Sequence, residues 1–210
     1  MIKMLVADDH AIIREGLKQI IADVHDIVVV DEASNGNEAL NHALQKDYDV
    51  ILMDISMPDK SGLDVLKELK TRKPYLKVLI LSMHPEEQYA IRALKAGASG
   101  YLTKDSLPEE LITAIRKVVL NHKYVSSALA EKLAGELVTN PEKPLYSLLS
   151  DREYQIMLMI ASGKRATDIA TELYLSVKTI ATYRSRILRK MKIKNNAELI
   201  RYCLENALIS

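Results

Sequence analysis

The stretch DVILMDISMPDKSG, residues 49–62, joins a short apolar run to a polar turn. Residues 50–53 are all apolar, which is typical of a strand buried on both faces of a parallel sheet. Asp54 follows directly, so it is predicted at the C-terminal end of that strand, where open α/β sheets bind ligands. Alone, this carboxylate could equally be the polar residue that ends a strand. Its role therefore depends on the residues around it.

The first 120 residues alternate apolar runs with segments of helical periodicity. Strands are predicted at 2–7, 27–30, 50–53, 78–81 and 100–102, and helices at 10–22, 38–46, 62–71, 86–96 and 108–120. Short connections in this regular alternation predict a doubly wound α/β domain, (βα)5, with a parallel sheet. With the strand order 2-1-3-4-5, the first and third strands are neighbours at the switch point.

Polar side chains follow four of these strands. Asp8 and Asp9 follow the first strand, Asp54 the third, Ser82 the fourth and Lys104 the fifth. Carboxylates this close repel one another and raise each other's pKa, which a bound Mg²⁺ with oxygen ligands would relieve. A lysine and a hydroxyl could bind phosphoryl oxygens. Each residue alone suits a solvated surface, but together they predict a site that phosphorylates its own carboxylate, Asp54.

Residues 1–120 resemble the receiver domain of two-component response regulators. The motifs that carry the resemblance are Asp8-Asp9, Asp54-x-x-Met57-Pro58-x-x-x-Gly62, Leu81-Ser82, Gly97-Ala98 and Lys104. The resemblance implies that Asp54 accepts a phosphoryl group from a sensor histidine kinase. It also implies that Asp9, Asp54 and the Ser56 carbonyl bind Mg²⁺, with Asp8 acting through water. Such a domain catalyses only its own phosphoryl transfer and dephosphorylation.

The same resemblance implies a conformational switch. Lys104 and Ser82 would bind the phosphoryl oxygens, and Tyr101 matches the aromatic residue that turns inward when Ser82 moves towards the phosphate. Asp105 follows the lysine where many receivers have a proline in a cis bond, so the isomer of this peptide bond stays open. His84 is a candidate to orient a hydrolytic water, whereas His10 is predicted to be structural or exposed.

A linker is predicted at residues 121–146. Leucines spaced by four favour a helix at 126–138, with Ser126 or Ser127 as its N-cap. Residues 139–144 are polar and contain two prolines, which predicts an irregular tether to a domain at 147–210.

Charge separates the two parts of the chain. Residues 1–120 hold 15 basic and 19 acidic residues, a net charge of −4, whereas residues 148–210 hold 11 and 6, a net charge of +5. The second part is therefore the one expected to meet a polyanion, although ordinary surface variation could give the same difference.

Four helices are predicted in this basic part. The first begins at the capping box Ser150–Glu153 and ends at Gly163; the others cover 167–173, 177–191 and 197–206. Two short helices before a basic amphipathic third one describe a helix-turn-helix unit that places the third helix in the major groove. The alternative is a solvated basic helix in a protein-binding domain.

The third helix presents the candidate DNA contacts. Base edges are assigned to Lys178, Thr182 and Ser185, phosphates to Arg186, Arg189 and Lys190, and additional phosphate hydrogen bonds to Thr179 and Tyr183.

The C-terminal part resembles the LuxR-type helix-turn-helix. The motifs are Leu149-Ser-Asp-Arg-Glu153, Ile160-Ala-x-Gly163, Asp168-Ile-Ala170, Leu175-Ser-Val-Lys-Thr-Ile180 and Arg186-Ile-Leu-x-Lys-Met191. Joined to a receiver, this is similar to the NarL/FixJ type of response regulator and implies dimerisation through the fourth helix. Ala181 falls where that family often has a DNA-contacting lysine, so the target sequence is not transferable.

Together these features predict a phosphorylation-dependent transcriptional regulator. Its expected partners are a sensor histidine kinase, double-stranded promoter DNA, a second copy of the chain and RNA polymerase. The single Cys203 and the absence of a long apolar run suit a cytoplasmic protein. Two alternatives remain: a DNA-binding protein with a silent receiver, and an aspartyl-phosphate phosphohydrolase, which would need a general acid where Ser56 stands.

Overall fold

The structure of the protein is a computed structural model. It describes residues 1–84, 86–106, 108–126, 129–131 and 144–209, with the backbone alone for Glu87. The chain divides into two compact units, residues 1–135 and 136–210. Each unit is described by itself below.

The first unit is a five-stranded parallel sheet with helices between the strands. The strands are β1 (Ile2–Ala7), β2 (Ile27–Ala33), β3 (Val50–Met53), β4 (Lys77–Ser82) and β5 (Gly100–Thr103). The helices are α1 (Ala11–Ala22), α2 (Gly36–Gln45), α3 (Gly62–Arg72), α4 (Glu86–Lys95) and α5 (Pro108–Val119). The strand order is β2-β1-β3-β4-β5, which confirms the predicted fold class and topology.

The start of α2 differs from the prediction. Asn35 and Gly36 suggested a turn before a helix at residue 38, but the helix begins at Gly36. The Asn35 side chain accepts a hydrogen bond from the Glu38 backbone N–H at 2.9 Å and so caps the helix. Asparagine suits both a turn and an N-cap, and here its side chain satisfies one of the helix's free N–H groups.

Apolar strands form the core of this unit. All four residues of β3 are buried, as the uninterrupted apolar run predicts. Each buried Leu or Ile side chain contributes roughly 1.5–3 kcal/mol to folding relative to an exposed one. Tyr89 and Tyr101 are completely buried and supply the large aromatic groups that a chain without Phe or Trp otherwise lacks.

The chain after α5 returns to the sheet. The Tyr124 backbone N–H donates to the Ser99 carbonyl at 2.9 Å, and Tyr124 forms a parallel bridge with Gly100. Ser126 Oγ then accepts a hydrogen bond from the Leu129 N–H at 3.1 Å, as an N-cap does, and residues 129–131 are helical. The rest of the helix predicted at 126–138 lies outside the described residues.

The second unit consists of helices. A 3₁₀ helix at Leu145–Leu148, which was not predicted, precedes α6 (Asp151–Ala161), α7 (Ala166–Glu172), α8 (Val177–Met191) and α9 (Asn196–Glu205). The capping box at the start of α6 is confirmed by both of its hydrogen bonds. Tyr174 has a left-handed backbone (φ 54°) and makes the tight turn between α7 and α8. In the described part of the chain, no helix is long and apolar enough to cross a membrane.

Candidate functional site: an acidic cluster and an exposed basic helix

Asp54 lies at the C-terminal end of β3, beside β1. Its backbone N–H donates to the Ala7 carbonyl at 2.8 Å, which continues the pairing of the two strands by one residue. The following turn folds back so tightly that Gly62 packs on the Asp54 backbone. A Cβ on Gly62 would lie 1.9 Å from the Asp54 carbonyl oxygen, so only glycine fits there. The turn residues thus hold the aspartate in place.

Lys104 crosses the sheet edge from β5 to the carboxylates. Its Nζ lies 2.9 Å from Asp54 Oδ2 and 2.6 Å from Asp8 Oδ2, and these three side chains are only 2–3% exposed. The structure therefore brings together three of the residues that the sequence placed at this edge. Because the ammonium contacts two carboxylates, it bridges β1 and β3 to β5.

Burial and charge shift the pKa values of the pair in one direction. Burial raises the pKa of Asp54 above its ordinary value, because the attraction of Lys104 offsets the loss of solvation only in part. Burial alone would lower the pKa of Lys104, but the charge of Asp54 and hydrogen bonds to Asp8 and Asp54 raise it. Lys104 is therefore a cation at neutral pH, and the site holds more negative than positive charge.

This surplus suits a divalent cation. Asp8, Asp9, His10 and Asp54 each place one ligand atom within 4.8 Å of the others. Asp9 Oδ1 is buried and accepts no hydrogen bond, although His10 Nδ1 lies 2.8 Å away. A buried carboxylate oxygen that accepts no hydrogen bond and lies among other carboxylates suits a hard, oxygen-binding cation such as Mg²⁺. The residues fit the metal, and His10, which was predicted to be structural or exposed, is an exposed residue beside the cluster.

A second group of side chains meets the site around His84. The hydroxyl of Tyr101 is directed inward and donates to the His84 carbonyl at 2.7 Å. The His84 backbone N–H donates to Ser82 Oγ at 3.2 Å, and its Nε2 lies 3.2 Å from Ser56 Oγ. His84 thus joins three of the predicted site residues, a role that its position two residues beyond Ser82 did not reveal. The bond after Lys104 is trans, like every described peptide bond.

The recognition-helix candidate α8 carries the predicted DNA contacts. Those exposed on its surface are Lys178, Ala181, Thr182, Ser185, Arg186, Arg189 and Lys190, whereas Thr179 and Tyr183 are half-buried. Ser176 caps the helix by accepting from the Thr179 N–H at 3.0 Å. Ile187 and Met191 are buried on the opposite side. The helix therefore presents one polar, basic face to solvent.

Two basic residues of α8 have internal partners that the sequence did not reveal. Lys190 Nζ lies 2.6 Å from Glu153 Oε2 and so ties α8 to the capping box of α6. Arg184 Nε donates to Asn196 Oδ1 at 2.7 Å, which ties α8 to the start of α9. No sequence signal pairs residues this far apart, because helix periodicity only shows that both lie near the packed face.

Comparisons with known proteins agree with both units. Residues 4–116 match the response regulator receiver domain, and residues 147–203 match the luxR family of bacterial regulatory proteins. The chain is 37% identical to the response regulator UvrY of Escherichia coli (strain K12), over 99% of this chain and 96% of that protein. It is 36% identical to the oxygen regulatory protein NreC of Staphylococcus carnosus, over 99% of both chains.

A solved structure is similar over nearly the whole chain. RcsB from Salmonella enterica serovar Typhimurium, bound to promoter rprA in the presence of the phosphomimetic BeF3⁻, superposes with a TM-score of 0.65 at 25% identity. The match covers 96% of this chain and 97% of that chain. The chain therefore belongs to the response regulators of the NarL/FixJ type, phosphorylation-dependent transcription regulators in which a receiver domain is joined to a LuxR-type DNA-binding domain.

Proposed function

We propose that Asp54 is the phosphoacceptor of this regulator. The observation that carries the proposal is Lys104, whose buried ammonium contacts both Asp54 and Asp8 at one edge of the sheet. An Asp54 oxygen would attack the phosphorus of a phosphohistidine on a sensor kinase, forming a P–O bond as the P–N bond breaks. Lys104 then turns from the carboxylate to a phosphoryl oxygen, where its charge is worth more because the site excludes water.

Asp9, Asp54 and the Ser56 carbonyl are the proposed Mg²⁺ ligands, with Asp8 bound through water. Asp9 Oδ1 supports this assignment, since it is buried and accepts no hydrogen bond, with His10 Nδ1 2.8 Å away. When bound, Mg²⁺ supplies positive charge for the phosphoryl oxygens. The carboxylates of Asp9 and Asp54 would hold the ion at the ends of β1 and β3. Lys104 would contact the phosphoryl group from the end of β5.

Ser82 and Tyr101 are the proposed switch. Ser82 Oγ is held by the backbone N–H of His84, and the Tyr101 hydroxyl by the carbonyl of the same residue. If Ser82 turns towards a phosphoryl oxygen, His84 loses one of these contacts and the loop after β4 shifts. His84 also faces Ser56, and this suits the proposal that it orients the water for autodephosphorylation.

DNA binding is assigned to the exposed face of α8. Lys178, Thr182 and Ser185 are the proposed base-edge contacts, with Ala181 between them, and Thr179, Tyr183, Arg186, Arg189 and Lys190 are the proposed phosphate contacts. Thr182 Oγ1 and Ser185 Oγ each donate to the carbonyl four residues earlier at 3.0 Å, so both can still accept from a base.

The proposed assembly is a homodimer on two half-sites of promoter DNA, with RNA polymerase as a further partner in the cytoplasm. A dimer doubles the number of phosphate contacts, so binding should weaken steeply with salt. We place the receiver at 1–120, the linker at 121–146 and the DNA-binding domain at 147–210.

Phosphorylation with a small phosphodonor tests the assignment of Asp54. Wild-type protein should be labelled in the presence of Mg²⁺ and unlabelled in EDTA, whereas Asp54→Ala should remain unlabelled under both conditions. Asp47→Ala is the matched control, because Asp47 is a fully exposed aspartate of the same unit. Stable labelling of Asp54→Ala would refute the assignment.

Gel shifts test the output. On DNA upstream of the protein's own gene, the phosphodonor should increase affinity for wild-type protein and leave Asp54→Ala unchanged. Lys178→Ala should weaken binding in both states. Equal affinity of wild type and Lys178→Ala would show that α8 meets the groove in another register.

A further inference from the structure

A second polar pocket lies at the opposite edge of the receiver sheet. Its volume is about 260 Å³, and its wall includes Lys70, Lys77, Ser99, His122 and Lys123. Lys77 is the first residue of β4, and Ser99 directly precedes β5, so the pocket opens at the N-terminal ends of these strands. Asp54 follows the C-terminal end of β3, which makes the two sites separate.

Among the residues that the structure describes, the three lysines of this pocket donate only to neutral oxygens. Lys70 Nζ donates to the Leu76 carbonyl at 2.5 Å, Lys123 Nζ to the Ala98 carbonyl, and Lys77 Nζ to the Asn121 side-chain oxygen. None of the described residues of the pocket wall is acidic. Within the described part of the chain, these three ammonium groups therefore have no carboxylate partner.

Basic residues elsewhere in this unit behave differently. Lys46 pairs with Asp31 at 2.6 Å and Lys73 with Asp47 at 3.0 Å. Arg116, on the same helix as part of the pocket wall, pairs with Asp26 at 2.7 Å. These three basic residues thus have carboxylate partners, which the described residues do not give to the three lysines of the pocket.

Burial and the crowding of like charges lower the pKa values of two of these lysines. Burial, together with the charges of Lys123 and Lys77, lowers the pKa of Lys70 to about 8. Burial and the charge of Lys77 also lower the pKa of Lys123. An anion in the pocket would reverse both effects, because it would stabilise the charged ammonium forms.

The fold holds Lys70 in this position. Gly97 has a left-handed backbone (φ 103°), and a Cβ there would lie 2.9 Å from Lys70 Cγ. The missing side chain lets the lysine stem lie against the turn between α4 and β5. Asn121, also left-handed (φ 66°), ends α5 and presents its side-chain oxygen to Lys77.

We propose that this pocket binds a compact phosphate-bearing anion through Lys70, Lys77 and Lys123. Three lysines in one pocket wall suit a ligand with two or more negative charges, since each ammonium group acts as a point charge on a phosphate oxygen. The volume lies just below the ~300–1,000 Å³ of typical small-molecule pockets. A diphosphate or a phosphorylated small metabolite fits this size, whereas a long polyanion would extend beyond it.

Calorimetry on the full-length protein tests the pocket. Pyrophosphate is titrated at low ionic strength in EDTA, with orthophosphate and sulfate as separate titrants. The wild type should bind one pyrophosphate, more tightly than orthophosphate or sulfate. Lys77→Gln and Lys123→Gln should each bind about tenfold more weakly, because each removes one charged hydrogen bond. Amide NMR signals of Gly97 and Ser99 should shift on binding.

Three matched variants separate this pocket from other sites. Lys46→Gln removes a paired lysine of the same unit, Arg186→Ala removes a basic residue of α8, and Asp54→Asn alters the phosphorylation site. All three should bind pyrophosphate like the wild type. The proposal is overturned if the wild type gives no binding at millimolar pyrophosphate, or if Lys77→Gln and Lys123→Gln keep wild-type affinity. Loss of binding in Arg186→Ala instead would place the anion on α8.

Discussion

Charge is arranged in opposite ways at the Asp54 site and on the recognition helix α8. At the first, the carboxylates of Asp8 and Asp54 and the ammonium of Lys104 are buried and contact one another. On the second, Lys178 and Arg186 are exposed on a helix surface. One set of charges is positioned by other groups of the protein, and the other, if α8 binds DNA as proposed, would be positioned by the bound DNA.

The difference predicts where mutations act. Removing a buried partner leaves the remaining charge without solvent and costs folding energy, whereas removing an exposed charge costs little until a ligand is bound. Lys190 is intermediate between the two cases, because it lies on the proposed recognition helix but contacts the buried Glu153. Substitutions of buried charged residues should therefore mainly reduce the free energy of unfolding. Substitutions of exposed charged residues on α8 should mainly reduce the affinity for DNA.

The largest effect is expected for Lys104→Met. This change leaves Asp8 and Asp54 buried beside each other without a cation, and in EDTA at neutral pH it should destabilise the first unit by about 3 kcal/mol. Urea titration followed by the amide NMR signals of β3 measures it. Lys46→Met, which breaks an ion pair whose lysine is half exposed, should cost less than about 1 kcal/mol.

Equal losses in Lys104→Met and Lys46→Met would mean that burial does not separate the two ion pairs. Adding Mg²⁺ sharpens the test. It should recover part of the stability lost in Lys104→Met, because a divalent cation can take over the neutralisation of the carboxylates. Mg²⁺ should not change the effect of Lys46→Met.

Gly62→Ala tests the turn that carries Asp54. The added Cβ would meet the Asp54 carbonyl oxygen at 1.9 Å, so the turn must move, at a cost of roughly 2–3 kcal/mol. Gly16→Ala is the matched control, since nothing lies within 4 Å of its Cβ inside α1. That change should stabilise the unit by about 0.5–1 kcal/mol. Urea unfolding should give changes of opposite sign for the two variants. Stabilisation by Gly62→Ala as well would contradict the close packing of Gly62 on the Asp54 carbonyl.

The sequence predicted that Asp8, Asp54 and Lys104 lie at one edge of the sheet, and the structure brings them together there. Uninterrupted apolar runs mark parallel strands, and their C-terminal ends must share one edge, so Asp8, Asp54 and Lys104 could be placed together before any coordinates. The approximate ends of most elements followed from hydrophobic periodicity, whereas the strand order was taken from the doubly wound fold class. Contacts made by backbone groups, such as those of His84 with Ser82 and Tyr101, leave no trace in side-chain type and were missed.

The basic pocket and the Lys190 ion pair were out of reach for a different reason. Lys70, Lys77 and Lys123 come from three separate segments, and each alone looks like a surface lysine. Glu153 was recognised as part of a capping box, but its second partner lies 37 residues away on another helix. Helix periodicity gives the buried face, not which side chains meet across it.

Glu153→Gln is expected to have an intermediate effect that depends on pH. Burial alone would raise the pKa of Glu153, but hydrogen bonds to Lys190 and Ser150 lower it below its ordinary value of 4.5. The ionised form therefore stabilises the second unit at neutral pH, and this stability is lost as the pH falls through the lowered pKa. Glu153→Gln should cost about 1 kcal/mol at pH 7 and less below pH 4.5.

Urea unfolding of the second unit at several pH values measures this difference, with the amide signals of α6 as the probe. Glu172→Gln is the control, because Glu172 pairs with Lys164 on the surface and both side chains are about half exposed. Its cost should stay near zero at every pH. A cost for Glu153→Gln that stays constant down to acidic pH would show that the capping hydrogen bonds, rather than the charge, provide the stability.

Arg186→Ala should have the smallest effect on stability, below about 0.5 kcal/mol, because Arg186 is exposed on α8. Its effect should appear only on DNA. Affinity should fall for every DNA sequence tested, and the magnitude of the slope of log K against log salt concentration should decrease by about one.

Lys190→Ala is the paired variant. It leaves the buried Glu153 without its cation, so it should destabilise the second unit by about 1–3 kcal/mol. If Arg186→Ala destabilises the fold and Lys190→Ala does not, the division between buried and exposed charge on this helix is wrong.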